Sequence, residues 1–281
     1  MAKPLKIVVT GASGFIAKNL RRYLSKKNVE LISISRNDFK NFQNESKIIS
    51  QNYNEKNILK KIKNVDTLIH LVGVGKQSIH NDYDKINFDL TRHIVNLSKK
   101  AKIRKIIFLS GLGVSTSTSL GYFISKYNAE QQIINSGLDF TIFRPSYIIG
   151  KDDLLSKTLK KQIKRGEIII PGSGTYSIQP IHVSDVVKLI FKSISHLPLN
   201  NKIIDLVGPD SVTFEKYVRI FSKGTNTKIR KIPLEEAYHN TIVNSKYDFG
   251  IDDLNILIGN FKGNHDKLSK LSKIKFHSVL D

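Results

Sequence analysis

The sequence predicts an α/β protein with a doubly wound parallel sheet, and three observations lead to that prediction. Short runs of Ile, Val, Leu and Phe recur through the first half, as in strands that are covered on both faces. Segments with helical spacing of apolar residues alternate with these runs, in a β–α–β–α–β order that occurs twice. With 281 residues, 40% of them hydrophobic, the chain can bury one large core.

The predicted elements of the first half follow one another closely. The strands are residues 6–10, 30–35, 48–51, 67–72, 105–110 and 139–143. The helices are residues 15–27, 57–63, 83–101 and 121–136. We expect right-handed crossovers between parallel strands.

The pattern becomes mixed beyond Pro145. We predict helices at 154–165, 183–195 and 213–223, and strands at 202–207 and 228–232. Residues 1–150 are therefore expected to form the doubly wound domain. Residues 151–281 are expected to form a smaller α/β lobe that covers the carboxyl edge of the sheet.

The cysteine content and the hydropathy of the chain exclude several classes of protein. The chain has no cysteine, which rules out disulfides, thiolate metal sites and a cysteine nucleophile. The eight histidines show no metal-ligand spacing, so we expect no metal site. No apolar run approaches the ~20 residues of a membrane span. We expect a soluble, cytoplasmic protein.

The net charge of +21 admits two interpretations. A basic surface can attract nucleic acid or other anions. The basic runs at 59–63, 99–105, 159–165 and 228–231 are, however, spread along the chain at predicted helices and strand ends. No stacking aromatics are interleaved with them, so we favour solvated surfaces over a nucleic-acid site.

A glycine turn, "TGASGF", joins the first predicted strand to the first helix. Gly11 permits a tight turn, and Gly14 lets an anion approach the main chain. The helix that begins near Phe15 directs its free N–H groups and its positive dipole end to that point. A dinucleotide's diphosphate is the expected ligand, as in Rossmann domains, with the small Ala17 in the third position.

The second predicted strand ends in "ISISRND". An acidic residue at this tip would bind a ribose 2′-hydroxyl, whereas Arg36 favours a 2′-phosphate. We therefore expect NADP to be preferred over NAD. NAD stays an alternative, because Asp38 could fold back onto the ribose.

Tyr122 and Lys126 are four residues apart on a predicted helix and share a face. An ammonium ~4 Å from a phenol, at an effective dielectric of ~20, stabilises the phenolate by about 4 kcal/mol. That energy corresponds to roughly three pKa units. We therefore expect a lowered Tyr122 pKa and proton exchange with a substrate near neutral pH.

Together these motifs resemble those of the short-chain dehydrogenase/reductase superfamily, in its extended branch of NAD(P)-dependent epimerases and dehydratases. "TGASGFIA" resembles the cofactor turn, and "DTLIHLVG" (66–73) the fourth-strand signature. "FRPSYIIG" (143–150) and "IPGSGTYSIQPIHVSDVV" (170–187) resemble the nicotinamide and substrate-lobe segments. The resemblance runs over nearly the whole chain.

The resemblance implies a set of site residues. Tyr122, Lys126 and Ser110 would be catalytic, and Gln179 would bind substrate. Residues that would bind the cofactor are Gly11, Ala12, Ser13, Gly14, Phe15, Ile16, Arg36, Leu71, Val72, Gly73, Tyr122, Lys126, Pro145 and Ile148. Lys160, Lys161 and Arg165 are candidates for a sugar-nucleotide phosphate.

One departure from the extended branch concerns the third catalytic hydroxyl. Leu112 stands where that hydroxyl is expected, so Ser110 or one of residues 115–119 would have to serve. The short loop before Tyr122 resembles the atypical branch, which includes the NAD(P)H-binding accessory subunit of respiratory complex I. Some atypical members bind cofactor without known turnover.

Two functional hypotheses follow. The first is an NAD(P)-dependent oxidoreductase, epimerase or dehydratase that acts by hydride transfer on a small hydroxyl or carbonyl compound, with a sugar nucleotide as one candidate. The second is an NAD(P)H-binding assembly or sensor protein without turnover. The sequence leaves the oligomeric state open, with a homodimer as one option.

Overall fold

The structure is a computed structural model that describes residues 3–53, 56–75, 82–244 and 247–280, the side chains of residues 56 and 57 excepted. The strands are β1 (Leu5–Thr10), β2 (Val29–Ser35), β3 (Glu45–Ile49), β4 (Thr67–His70), β5 (Lys105–Leu109), β6 (Asp139–Pro145), β7 (Ile148–Ile149), β8 (Glu167–Pro171), β9 (Ser177–Ile178), β10 (Ile181–His182), β11 (Lys202–Leu206), β12 (Val212–Thr213) and β13 (Lys228–Ile232). The α-helices are α1 (Phe15–Leu24), α2 (Lys56–Lys61), α3 (Leu90–Lys100), α4 (Gly121–Ile134), α5 (Leu154–Lys164), α6 (Val183–Ser193), α7 (Phe214–Phe221), α8 (Leu234–Val243), α9 (Ile251–Ile258) and α10 (His265–Ser272).

Seven parallel strands form the central sheet, in the order β11-β6-β5-β4-β1-β2-β3. The strand order reverses between β1 and β4, where Thr10 pairs with His70. Such a switch point opens a crevice at the carboxyl ends of its two strands. The predicted doubly wound α/β fold is confirmed.

Alternate residues of the buried strands face opposite cores. Ile7 and Val9 of β1 pack with α1, α6 and α10, whereas Val8 packs on the other side with α2 and α3. A further cluster, around Phe108 and Ile133, lies beneath α4. Helices on both faces explain why these strands read as continuous apolar runs.

The chain beyond residue 150 contributes to two cores. Leu155, Ile168, Val218 and Leu254 belong to a separate cluster, formed by α5, α7, α9 and the β8–β13 pair. β11, α6 and α10 return to the central sheet, with β11 as its edge strand. A division into two domains at residue 150 therefore stays a prediction.

Several predicted elements differ by a few residues at their ends, and two of these differences bear on the site. The third strand begins at Glu45 and not at Ile48, because the Glu45 side chain is buried against Arg21 and a polar residue therefore pairs inside the sheet. The predicted helix 83–101 opens with a π-helical turn, Asp84–Asp89, before α3. That wider turn carries Asn87, and such turns are frequent at functional sites.

Candidate functional site

The glycine turn lies at the switch point of the sheet. Gly11 has φ +72°, and a Cβ there would stand 2.9 Å from the main-chain carbon and oxygen of Leu71. The Gly14 N–H donates to the Gly11 carbonyl at 2.9 Å, and α1 begins at the next residue. No side chain caps α1 and its first turn holds no acid. This arrangement can receive an anionic group.

A buried arginine supports the turn from behind. Arg21 of α1 donates to the Ala12 carbonyl at 3.0 Å and forms an ion pair with Glu45 of β3. Both side chains are almost fully buried. Burial alone would raise the pKa of Glu45, but hydrogen bonds from Arg21 and from the Phe42 N–H hold that pKa below its usual value. Arg21 thereby links the glycine turn to β3, at one edge of the central sheet.

A cavity of about 550 Å³ opens beside the turn, and we call it the turn cavity. It is lined by Gly11, Ser13, Gly14, residues 35–37, 51–53 and 71–73, Lys85, Ile86, Asp89, Leu90 and His93. The hydroxyls of Ser13 and Ser35 are 2.8 Å apart and join the turn to the tip of β2. The structure thus brings Gly11, Ser13, Gly14, Arg36 and residues 71–73 to one crevice.

Arg36 and Asp38 behave differently at the tip of β2. Arg36 is exposed and lines the turn cavity. Asp38 is bound at 2.6 Å by Lys47, and the pKa of this exposed carboxyl is lowered chiefly by that hydrogen bond. Asp38 does not line the cavity. At this tip it is the guanidinium, and not the Asp38 carboxylate, that lines the turn cavity.

Lys126 packs at the end of β5 and against the segment after β4, and it does not line the turn cavity. Its ammonium donates to the Leu109 carbonyl at 3.1 Å, and a Cβ on Gly73 would come within 2.8 Å of it. Asn87 holds the same segment, bonding both the N–H and the carbonyl of Val74. Burial lowers the pKa of Lys126 to about 8, although Glu130 raises it.

A second cavity, of about 590 Å³, lies between the sheet edge and the C-terminal elements, and we call it the lobe cavity. Tyr122, Pro145 and Ile148 line it, together with Val74, Gly75 and Gly111. From the C-terminal part come Leu154, Phe249, Leu257 and Phe261. The segment 71–75 therefore borders both cavities, the turn cavity first and the lobe cavity at its end.

The predicted lowering of the Tyr122 pKa is wrong for the protein without ligand. Burial raises the pKa of this phenol to about 12. The phenol oxygen is directed to the loop after β5, 3.2 Å from where a Cβ on Gly111 would stand. Its ring also stacks edge-on against Tyr83. The sequence shows a shared helix face but not how deeply the phenol is enclosed, and burial is the cause of the raised pKa.

Ser110 and Gln179 do not reach either cavity. The Ser110 hydroxyl is buried and has no hydrogen-bond partner within the described part of the chain, while Gly111 and Leu112 line the lobe cavity in its place. Gln179 donates to the Gly208 carbonyl and accepts from the Gly263 N–H. Both ends of its amide are thus bonded to backbone, as expected of a residue that holds loops together.

Residues 115–119 and the basic side chains proposed for a phosphate also lie outside the cavities. None of residues 115–119 lines the turn cavity or the lobe cavity. Lys161 and Arg165 both form ion pairs with Asp248, at 2.8 and 2.9 Å, and Lys160 is exposed. In the described ranges no group of three or more His, Asp or Glu side chains is placed to hold a metal ion.

Sequence reasoning missed residues that close the site over long distances. The Tyr83 hydroxyl lies 2.7 Å from Asp252 and 3.1 Å from the Gly75 carbonyl, joining the two walls of the lobe cavity. Phe261 packs edge-on against Phe123 and covers Gly113. These contacts join positions far apart in sequence and leave no local motif; the only signal is aromatic character.

Comparison with known proteins identifies the family. The model of the NAD dependent epimerase/dehydratase family matches residues 7–205, which include the glycine turn, Tyr122 and Lys126. The chain belongs to this family. That finding agrees with the resemblance to extended short-chain dehydrogenases read from the motifs.

Curated relatives include an accessory subunit of a respiratory enzyme. A protein of Arabidopsis thaliana named NADH dehydrogenase [ubiquinone] 1 alpha subcomplex subunit 9, mitochondrial, is 24% identical over 75% of this chain and 56% of its own length. The same-named protein of Dictyostelium discoideum is 23% identical over 79% of this chain and 64% of its own. The chain thus spans between about half and two thirds of these relatives.

Solved structures with the same fold include sugar-nucleotide epimerases. A UDP-glucuronic acid 4-epimerase from Bacillus cereus, in complex with UDP-glucuronic acid and NAD, has a TM-score of 0.77 and 16% identity, covering 98% of this chain and 95% of its own. MoeE5 in complex with UDP-glucose and NAD has a TM-score of 0.70 and 17% identity, covering 91% and 98%. These likenesses establish the fold. No helix in the described ranges has the length and hydropathy needed to cross a membrane.

Proposed function

We propose that this chain is an NAD(P)-dependent oxidoreductase, epimerase or dehydratase that transfers a hydride to or from a hydroxyl or carbonyl compound. The observation that carries the proposal is the shared wall of the two cavities. Residues 71–75 run from the glycine turn, which suits a diphosphate, to the cavity that holds the Tyr122 phenol. A single extended dinucleotide would reach from the glycine turn to the cavity that holds the Tyr122 phenol, as in other doubly wound folds.

The residues at the turn fit a dinucleotide. Gly11 lies close to the Leu71 backbone, and no side chain caps the start of α1, so backbone N–H groups are left to bind an anion. In this proposal residues 11–16 hold the diphosphate and residues 71–73 line the adenine side. Pro145 and Ile148 face the nicotinamide, and Lys126 bonds its ribose. A domain boundary near residue 150 would then separate the cofactor part from the substrate part.

The bound cofactor supplies the two-electron chemistry by giving a hydride to a carbonyl carbon or taking one from an alcohol carbon. In the direction of reduction, Tyr122 donates its proton to the carbonyl oxygen as the carbon gains the hydride, and an alcohol results. A phenol with a pKa of about 12 keeps that proton at neutral pH but is a weak acid, so positive charge beside it must lower its pKa for the transfer. Lys126 would stabilise the phenolate that remains.

A Tyr122→Phe substitution tests the proposal. We expect kcat for NADPH-dependent reduction of a carbonyl panel to fall by about 100-fold or more, because the proton donor is lost. The Kd of NADPH, measured by calorimetry, should stay unchanged. Tyr127→Phe is the matched control, since Tyr127 is a half-buried tyrosine of the same helix that lines neither cavity. Equal turnover in the Tyr122 variant and the wild type would refute the assignment.

We further propose a preference for NADP, supported by the exposed Arg36 in the turn cavity and the engagement of Asp38 by Lys47. An Arg36→Asp variant should bind NADPH about 10-fold or more weakly, while NADH binding is retained or improved. Arg22→Asp makes the same charge change at an exposed site outside the cavity. Tighter binding of NADH than of NADPH by the wild type would overturn this preference.

A second candidate is a cofactor-binding assembly or sensor protein without turnover. It is favoured by one observation: the third hydroxyl expected beside Tyr122 is replaced by Leu112, and Ser110 is buried away from the cavity. The names of the curated relatives point the same way. This alternative predicts NAD(P)H binding, no turnover on the carbonyl panel, and full cellular function of the Tyr122→Phe variant.

A further inference from the structure

We infer that the lobe cavity accepts a neutral, largely apolar alcohol or carbonyl compound in preference to a sugar nucleotide. The inference rests on the proposed function and names the substrate class of that same site. Its basis is the chemistry of the cavity wall. Most of the side chains that line it are apolar, among them Leu112, Phe123, Leu155, Ile178, Ile256 and Phe261.

The charged groups of the lining are all carboxylates. Asp153, Asp248 and Asp253 line the cavity, and neither lysine nor arginine does so in the part of the chain that the structure describes. Asp153 caps α5 through the Ser156 N–H and also accepts from the Gly150 N–H. Asp253 accepts from the Gly250 N–H at the start of α9. These two carboxylates hold backbone and are fixed at the cavity wall.

Asp248 forms ion pairs with two basic side chains of the C-terminal part. It accepts from Lys161 at 2.8 Å and from Arg165 at 2.9 Å, and its own side chain is only 7% exposed. The two basic side chains are about half exposed and do not line the cavity. A phosphate would have to break these ion pairs and would leave Asp248 buried without a partner, which is unfavourable.

A nucleotide diphosphate needs the opposite surroundings. Phosphate groups are recognised by arginine or lysine side chains and by helix N-termini. Beside three carboxylates the diphosphate would meet like charge, and burying it there without cations would be costly. An uncharged compound meets neither obstacle and would bury its carbon skeleton against the apolar wall.

The polar groups that remain suit a single oxygen on the substrate. The uncharged residues with a hydroxyl that line the same cavity are Tyr122, Ser146, Tyr147, Thr158 and Ser177. Few polar groups in an apolar cavity are typical of sites that orient one functional group of a small molecule. Tyr122 would bind the carbonyl or hydroxyl oxygen, and the carbon skeleton would face the C-terminal side chains.

Calorimetry on the full chain tests this inference, with 2-octanone added to protein saturated with NADP⁺ and UDP-glucose added to protein saturated with NADPH, so that neither probe can react. We expect 2-octanone to bind with a Kd at least about 10-fold below that of UDP-glucose. An Ile256→Lys substitution places an ammonium on the cavity wall and should weaken 2-octanone binding by about 10-fold or more. Ile242→Lys is the control, because Ile242 is 75% exposed and lines neither cavity.

Measurements of binding and of turnover distinguish the inference about the substrate from the proposed oxidoreductase function. Tighter binding of UDP-glucose, or no binding of 2-octanone, would overturn the inference. Tyr122-dependent oxidation of UDP-glucose would overturn it too, yet would leave the proposed function standing. Selective binding of 2-octanone, lost in the Ile256 variant and with no turnover of any compound, would support the inference and refute the proposed oxidoreductase.

Discussion

His70 illustrates how a single residue can be titratable, buried and still without a catalytic part. It lies inside β4, with Nδ1 2.7 Å from the Thr10 hydroxyl and Nε2 3.1 Å from the Thr91 hydroxyl. Thr91 donates its own proton to the Asn87 carbonyl, so it accepts from Nε2, and the ring is neutral with its proton on that atom. Burial, aided by the Lys126 ammonium, lowers the pKa of His70 to about 3.

This residue predicts a pH dependence of stability. Above pH ~6.5 the imidazole is neutral in the folded and unfolded chains and contributes nothing. As the pH falls below that value the unfolded chain binds a proton that the folded chain refuses, so the free energy of unfolding falls. Between pH ~6.5 and ~4.5 this group should remove about 2 kcal/mol. Urea unfolding at both pH values, with His70→Gln as the comparison, should show a smaller loss in the variant.

Nuclear magnetic resonance gives an independent check that needs no variant. One of the eight histidine rings should keep the chemical shifts of a neutral imidazole down to pH ~4. If all eight rings titrate near pH ~6.5, the buried neutral His70 is refuted.

At the scale of one element, the glycine turn shows what local sequence can predict. Gly11 and Gly14 lie between the end of β1 and the start of α1. Their position therefore follows from local sequence and does not depend on distant parts of the chain. The same holds for residues 71–73 after β4 and for Arg36 after β2. Carboxyl ends of neighbouring parallel strands meet at one edge, and the structure accordingly brings these positions to one crevice.

Two matched substitutions distinguish the free-energy cost of the close contact between Gly11 and Leu71 from the cost of backbone strain at positive φ. Gly11→Ala and Gly137→Ala both place a side chain at positive φ, +72° and +78°. Each should lose about 1 kcal/mol from that strain. The Gly11 variant should lose at least ~1 kcal/mol more, because its Cβ meets the Leu71 backbone, whereas nothing lies within 4 Å of the Gly137 position.

The two variants should also differ in ligand binding. NADPH affinity should fall only in Gly11→Ala, since the cofactor turn must shift there, and Gly137 lies after α4 and lines neither cavity. Thermal unfolding and calorimetry measure both effects. Equal losses of stability in the two variants would mean that the approach to Leu71 carries no cost.

Long-range contacts are what the sequence could not predict. The Arg21–Glu45 pair shifts the start of β3, and Tyr83–Asp252 joins positions that no local pattern connects. The Tyr122 pKa is a further case, because it depends on enclosure by the surrounding chain and not on the four-residue spacing to Lys126. A helix face can be read from periodicity, but burial is a property of the packed whole.

At the scale of the whole molecule, the lobe cavity depends on how the C-terminal part of the chain packs against the central sheet, whereas the turn cavity is lined by residues 11–93 alone. β11, α6 and α10 bring the C-terminal part back to the edge and one face of the central sheet. Asp185 at the start of α6 holds the segment around His277 in place. Its carboxylate accepts hydrogen bonds from the N–H and from the ring of His277, at 2.8 Å each. The lobe cavity is therefore built from distant parts of the chain, and its apolar lining follows from topology.

The net charge of +21 gives a prediction for the molecule as a whole. The basic runs at 59–63 and 99–105 lie where helices lead into β4 and β5, at the amino edge of the sheet. The run at 159–165 belongs to α5, which packs beyond the carboxyl edge. Lys105 is buried and donates to the Ser193 carbonyl, so it contributes nothing to the surface. Among the described residues, these three basic runs lie at opposite edges of the sheet and do not form one track for a phosphate backbone.

We therefore expect only weak, sequence-independent binding to DNA. The affinity for a short duplex should fall by about 100-fold between ~50 and ~200 mM salt, because it arises almost entirely from counterion release. Fluorescence anisotropy with two duplexes of unrelated sequence measures both properties. Binding that distinguishes sequences comes from contacts with base edges and from readout of DNA shape, and such binding depends less on salt. Tight binding at ~200 mM salt with a preference for one duplex would thus require a dedicated nucleic-acid surface, and the excess charge would then have a function of its own.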